Sequence, residues 1–88
     1  MATSHARPRA TALTRRELMV ASTYADGWSM ELIARAFGID PDTCAEYIRR
    51  ARAKYARQGR DAGTKIALGK RIDEDMAAAE HGHHAKAG

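Results

Sequence analysis

The four residues Gly38-Ile39-Asp40-Pro41 constrain this chain more than any other feature. Glycine ends a helix cheaply because, lacking a Cβ, it enters the left-handed region that other residues avoid. Proline starts the next helix, since its fixed φ suits the first turn and its missing N–H would have had no partner there. With only Ile39 and Asp40 between these two signals, a pair of short helices must cross steeply, with the Ile39 side chain in the angle between them. The helix before the joint reads over 29–37. Ser29 serves as its cap, Glu31 lies in its first turn, and apolar residues recur at 30, 33, 34 and 37. The helix after it reads over about 41–56, with Asp40 as its cap.

The same punctuation frames two more helices. Leu13-Thr14-Arg15-Arg16-Glu17 reads as a staple residue followed by a capping box, Thr14 capping and Glu17 answering three residues later. This predicts a helix over about 14–26, closed by Gly27. Thr64 is a plausible cap for a fourth helix over about 64–79, in which Ile66, Gly69, Ile72, Met76 and Ala79 recur at three- and four-residue spacing. The expected fold is therefore all-α: a three-helix core and a fourth helix within 13–79, between a flexible basic arm (1–12) and a flexible tail (80–88). The stripe on the fourth helix must be covered, either by folding back on the core or by the same stripe of a second copy. The favoured expectation is a homodimer with Ile66, Gly69, Ile72 and Met76 at its seam, Gly69 permitting close approach.

From Leu13 to Tyr55, without a gap, the chain resembles the helix-turn-helix DNA-binding domain of LuxR-type (GerE/NarL-like) regulators. The residues that carry the resemblance are Leu13-Thr14, Arg16-Glu17, Val20, Ala25, Gly27, Ser29, Ile33-Ala34-Arg35, Gly38-Ile39, Pro41, Thr43, Arg49 and Lys54. The resemblance implies that the helix starting at Pro41 enters the major groove of double-stranded DNA, that the first helix buttresses it, and that a fourth helix supports a homodimer. The chain departs from the family pattern at Cys44, Ala45, Glu46 and Tyr47, and again at Tyr55 and Ala56.

Helical periodicity sorts the groove helix into two faces. Cys44, Tyr47, Ile48 and Ala51, with Ile39 before them, read as core or near-core; Asp42, Thr43, Ala45, Glu46, Arg49, Arg50 and Lys54 read as surface. Arg49 is suited to guanine O6 and N7, Glu46 to cytosine N4, and Ala45 to a thymine methyl. Glu46 has an equal alternative as an intrahelical partner of Arg49 or Arg50. Thr43, Arg50 and Lys54 are expected on phosphates, with Arg35 and Arg57 as further DNA-binding candidates. Asp42 reads as a helix-dipole partner. Trp28 and Tyr24 are expected to cover the core near Phe37, and Cys44 to be a small buried filler.

Charge adds a second argument. The net charge is +4, yet nine basic residues lie between Arg49 and Arg71 (49, 50, 52, 54, 57, 60, 65, 70 and 71) against the single acid Asp61. Such a block could neutralise phosphates and give salt-sensitive, sequence-independent affinity. The stretch from Ile72 onward is acidic and is expected on a surface or tail. The arm, with Arg7-Pro8-Arg9, could reach a minor groove or be an inert leader, and the histidines at 81, 83 and 84 read as part of a floppy tail.

Other function classes find little support. Eighty-eight residues make one small domain without room for a deep substrate pocket, and no nucleophile–base set or phosphate-binding glycine loop is present. No enzyme activity, cofactor or metal site is expected. One cysteine cannot form an internal disulfide, and no signal peptide or membrane span is legible, so a cytoplasmic, nucleoid-associated protein is expected. The expectation is a small transcriptional regulator binding double-stranded DNA. The alternatives are a protein-interaction module contacting RNA polymerase or another regulator, in the manner of sigma-factor region 4, or a non-specific architectural DNA binder.

Overall fold

The computed structural model describes residues 13–87; the N-terminal arm and Gly88 lie outside the described residues, and with them the minor-groove expectation. Four α-helices make up the described fold: α1 Arg15–Ala25, α2 Met30–Phe37, α3 Pro41–Arg57 and α4 Lys65–Ala87. The all-α architecture and its order are those expected from the sequence. α4 runs past the expected end near residue 79, to Ala87.

Local chemistry starts each helix where the residues require it. The Glu17 N–H donates to Thr14 Oγ1 at 3.1 Å and the Thr14 N–H donates to Glu17 Oε1 at 2.9 Å, completing the capping box of α1. The Leu32 N–H donates to Ser29 Oγ at 3.2 Å and the Ala67 N–H to Thr64 Oγ1 at 3.0 Å, so α2 and α4 are capped as predicted. Asp40 occupies the cap position of α3 in extended conformation, but its side chain makes no capping bond. Gly38 closes α2 at φ 67°, the left-handed conformation its sequence context demands.

α1 is the element on which the others pack: it meets α2, α3 and α4, and α2 also packs on α3. The shared core holds Leu13, Val20, Ala21, Ile33, Ala34, Cys44, Ile48, Ala51, Tyr55, Ala62, Leu68 and Ile72, with Tyr24, Phe37, Ile39 and Tyr47 partly buried around it. Thus the face of α3 predicted to be internal is internal. Trp28 departs from expectation: it is 52% exposed rather than covering Phe37, because it lies in the α1–α2 turn.

α4 folds back on α1, through a stripe offset from the expected one. Over 65–78, where its side chains are described, Leu68, Ile72 and Asp75 are buried, an i, i+4, i+7 row, whereas Ile66 is 80% and Met76 45% exposed. At Gly69 an added Cβ would meet Ala25 Cβ at 3.4 Å, so the small residue brings α4 close to α1. Of the four residues assigned to a dimer seam, Ile72 and Gly69 therefore pack within the chain, and Ile66 and Met76 remain on the surface.

Candidate nucleic-acid interface

α3 is positioned by three anchors. Its inner face carries Cys44, Ile48, Ala51 and Tyr55, each at or near complete burial, so its rotation about its own axis is set by the core. Its N-terminus follows the Gly38 turn, where the Ile39 N–H donates to the Ala34 carbonyl at 2.9 Å. Its C-terminal half is held from both sides, by Lys54 on Glu17 of α1 and by Tyr55 on Asp75 of α4. What remains outward is a face with Asp42, Arg49, Arg50 and Arg57 exposed and Thr43, Ala45 and Glu46 half-buried.

The electrostatics of that face are set by Glu46. Its carboxylate accepts from Arg49 Nη2 through one oxygen and pairs with Arg50 Nε at 3.3 Å through the other. Of the two readings open in the sequence for Glu46, the intrahelical partner is the one the structure displays. The arrangement holds two guanidinium groups side by side on the outward face, partly neutralised and pre-positioned. Exposed pairs of this kind are weak, about 0.2–1 kcal/mol, so either arginine can exchange Glu46 for a better acceptor at small cost.

Lys54 occupies a different place from the one expected. Its ammonium donates to Glu17 Oε1 at 2.7 Å, and Glu17 is buried. Burial by itself would raise the Glu17 carboxyl's pKa. The Lys54 hydrogen bond and charge, with the bonds from the Thr14 N–H and hydroxyl, outweigh it and hold the group below the usual carboxylate range. Lys54 therefore ties α3 to α1 rather than standing free for a phosphate.

The rest of the basic block is drawn inward in the same manner. Arg60 pairs with Glu74 at 2.9 Å and Asp75 at 3.0 Å, and Arg71 with Glu74 at 2.9 Å. The hydrogen bond to Glu74, then the Asp75 contacts, hold the Arg60 pKa above its ordinary value against the opposing effect of burial. Arg52 and Lys65 lie over the Tyr24 ring, at 5.8 Å and 4.5 Å from its centroid. Arg57 and Lys70 are exposed and make no ion pair with another described residue, and the same holds for Arg35 on α2. The stretch that reads as a continuous polyelectrolyte is in the fold largely a set of partnered cations.

Sequence reasoning also missed a buried polar cluster. Tyr55 Oη donates to Asp75 Oδ2 at 2.9 Å while Arg60 lies over the Tyr55 ring at 5.0 Å and bonds Asp75. Asp75, expected on a surface or tail, is thus inside, where its charge is matched by Arg60 and its second oxygen by Tyr55. The i, i+4, i+7 row through Leu68 and Ile72 also passes through Asp75, so the helical period that buries the first two carries Asp75 to the same face.

Cys44 is fully buried and burial pushes its thiol pKa up, which disfavours a reactive thiolate. Among the described residues no group of three or more His, Cys, Asp or Glu side chains could hold a metal ion, and no helix is long and apolar enough to cross a membrane. Compared with protein-family models, with curated proteins and with solved structures, the chain matches none.

Proposed function

We propose that the chain is a sequence-specific double-stranded DNA-binding protein, a small transcriptional regulator that reads the major groove with α3. The observation that carries this reading is the division of α3: its inner face is wholly taken by the core, and its outward face presents Thr43, Ala45, Glu46, Arg49 and Arg50 in the first turns after the tight Gly38 joint. An α-helix offered on one face by a steep two-helix joint fits the width of a B-form major groove. The resemblance to LuxR-type domains over 13–55 supports the same reading. In it Arg49 is the principal base reader, Glu46 both orients Arg49 and can accept from cytosine, and Arg35, Arg50 and Arg57 meet phosphates.

Non-specific architectural binding is the weaker reading, because Lys54, Arg60 and Arg71 of the basic block are already tied to carboxylates within the fold. Selection from a random duplex library with the full-length protein, at low and at physiological salt, tests the proposal. Enrichment of a defined site at physiological salt supports it, and its absence removes it. An inverted repeat would indicate a two-fold dimer, with Ile66 and Met76 as the exposed apolar residues of α4 available to a seam; a single half-site would indicate a monomer.

A further inference from the structure

A shallow groove lies where the start of α1 meets the end of α2. It has a volume of about 390 Å³ and is lined by Arg15, Arg16, Met19 and Phe37, none of them on α3. Its floor is apolar: Met19 is 44% exposed and Phe37 is half-buried. Its rim is cationic. Arg16 Nη1 donates to the Phe37 carbonyl at 3.4 Å and its guanidinium lies 5.7 Å from the Phe37 ring centroid, so that side chain is held over the groove. Arg15 is exposed and makes no ion pair with a described residue. The nearest acid in sequence, Glu17, is turned away onto Lys54.

The geometry points to this groove as a docking site for a short peptide segment of a partner protein, acidic and carrying at least one bulky apolar side chain. Charge complementarity selects the acids, since two arginines stand at the rim and no carboxylate lines it. The floor selects the apolar anchor, because contact with Met19 and Phe37 gains stability only by removing apolar surface from water. A nucleic-acid backbone would satisfy the arginines but offers no apolar group to the floor of Met19 and Phe37. The chain's own segment preceding Leu13 carries Arg7 and Arg9 and no acid, so it has the wrong sign. The site goes beyond the DNA-reading proposal: it would couple the protein to a partner through a face that α3 does not share.

The test is selection of a random short-peptide library on full-length protein, followed by chemical-shift mapping of the best peptide on isotopically labelled protein. The expected result is enrichment of acidic peptides with an aromatic or aliphatic anchor, shifts centred on Met19 and Phe37, and about tenfold weaker binding to Arg15→Glu. Arg15 is exposed and unpaired, so this variant keeps the fold; Met19→Gln is the second variant and should weaken the anchor without changing the charge. Arg49→Ala should bind the peptide unchanged even where it has lost DNA, which separates failure of this inference from failure of the DNA reading. Enrichment of basic or uncharged peptides, or shifts mapping elsewhere, overturns it. So does a result in which a short duplex, and no peptide, shifts Met19 and Phe37, which would make the groove a phosphate-contacting surface. Self-association abolished by Arg15→Glu would assign the groove to a second copy and overturn the partner assignment.

Discussion

Lys54 Nζ donates to Glu17 Oε1 across 2.7 Å, joining the far half of α3 to the capping box that begins α1. One carboxylate thereby serves two purposes: it answers the Thr14 N–H at the helix start and neutralises a lysine arriving from 37 residues away. The bond fastens the C-terminal half of α3 to α1, while apolar packing sets which face of α3 points outward.

Removing either partner should destabilise the fold. Lys54→Ala leaves Glu17 buried without its cation and is expected to cost about 1–3 kcal/mol in urea unfolding. Far below its melting temperature the variant should keep its DNA affinity, whereas Arg57→Ala should lose some affinity on every sequence. A uniform loss of DNA binding by Lys54→Ala without loss of stability would place Lys54 on phosphate after all. The pH dependence follows from the lowered Glu17 pKa. A carboxyl whose folded pKa is depressed contributes stability above its unfolded value, and that contribution is lost as pH falls through the folded one. Stability should therefore decline on acidification below the ordinary carboxylate range, and Glu17→Gln should flatten that acid limb while being less stable at neutral pH.

α4 offers a paired comparison. Leu68→Ala should cost about 2–5 kcal/mol because it opens a cavity in the core, while Ile66→Ala should stay within about 0.5 kcal/mol. Thermal unfolding of both variants at one low protein concentration decides it. A large, concentration-dependent effect of Ile66→Ala would instead reveal a dimer seam at that residue.

The Tyr55–Asp75–Arg60 cluster should control the docking of α4 specifically. Asp75→Ala strips Tyr55 and Arg60 of a shared acceptor and is expected to cost about 1–3 kcal/mol. Tyr55→Phe, which leaves the Arg60–Asp75 pair in place, should cost about 1 kcal/mol. Hydrogen exchange should show the loss of protection concentrated in α4, with α2 little changed. Uniform loss across all four helices would mean that α4 unfolds only with the whole domain.

Glu46 should trade affinity for discrimination. Glu46→Ala frees Arg49 and Arg50 and is expected to raise binding to every duplex while narrowing the gap between the selected site and random sequence. Arg49→Ala should lose about 1–3 kcal/mol on the selected site and relax preference at one base pair. Titration of matched and scrambled duplexes at one salt concentration measures both, and equal effects of the two variants on all sequences would remove the reading role of this face.

The features legible in the amino-acid order were local. Thr14 with Glu17, Ser29, Gly38, Pro41 and Thr64 act within a few residues of themselves, through backbone geometry and short-range hydrogen bonds, so the helix starts and the joint were legible without knowledge of the fold. The inner face of α3 was equally legible, since one helix presents only one apolar side to the core. Charge was not legible in this way. Whether a lysine or arginine faces solvent depends on which carboxylate arrives beside it, and Glu17 with Lys54, Glu74 with Arg60 and Arg71, and Asp75 with Tyr55 are brought together only when α4 and α3 dock on α1. The α4 stripe failed for the same reason: rows through Ile66 and through Leu68 are both helical faces in the sequence, and it is the docking of α4 on α1 that buries Leu68, Ile72 and Asp75 and leaves Ile66 and Met76 outside.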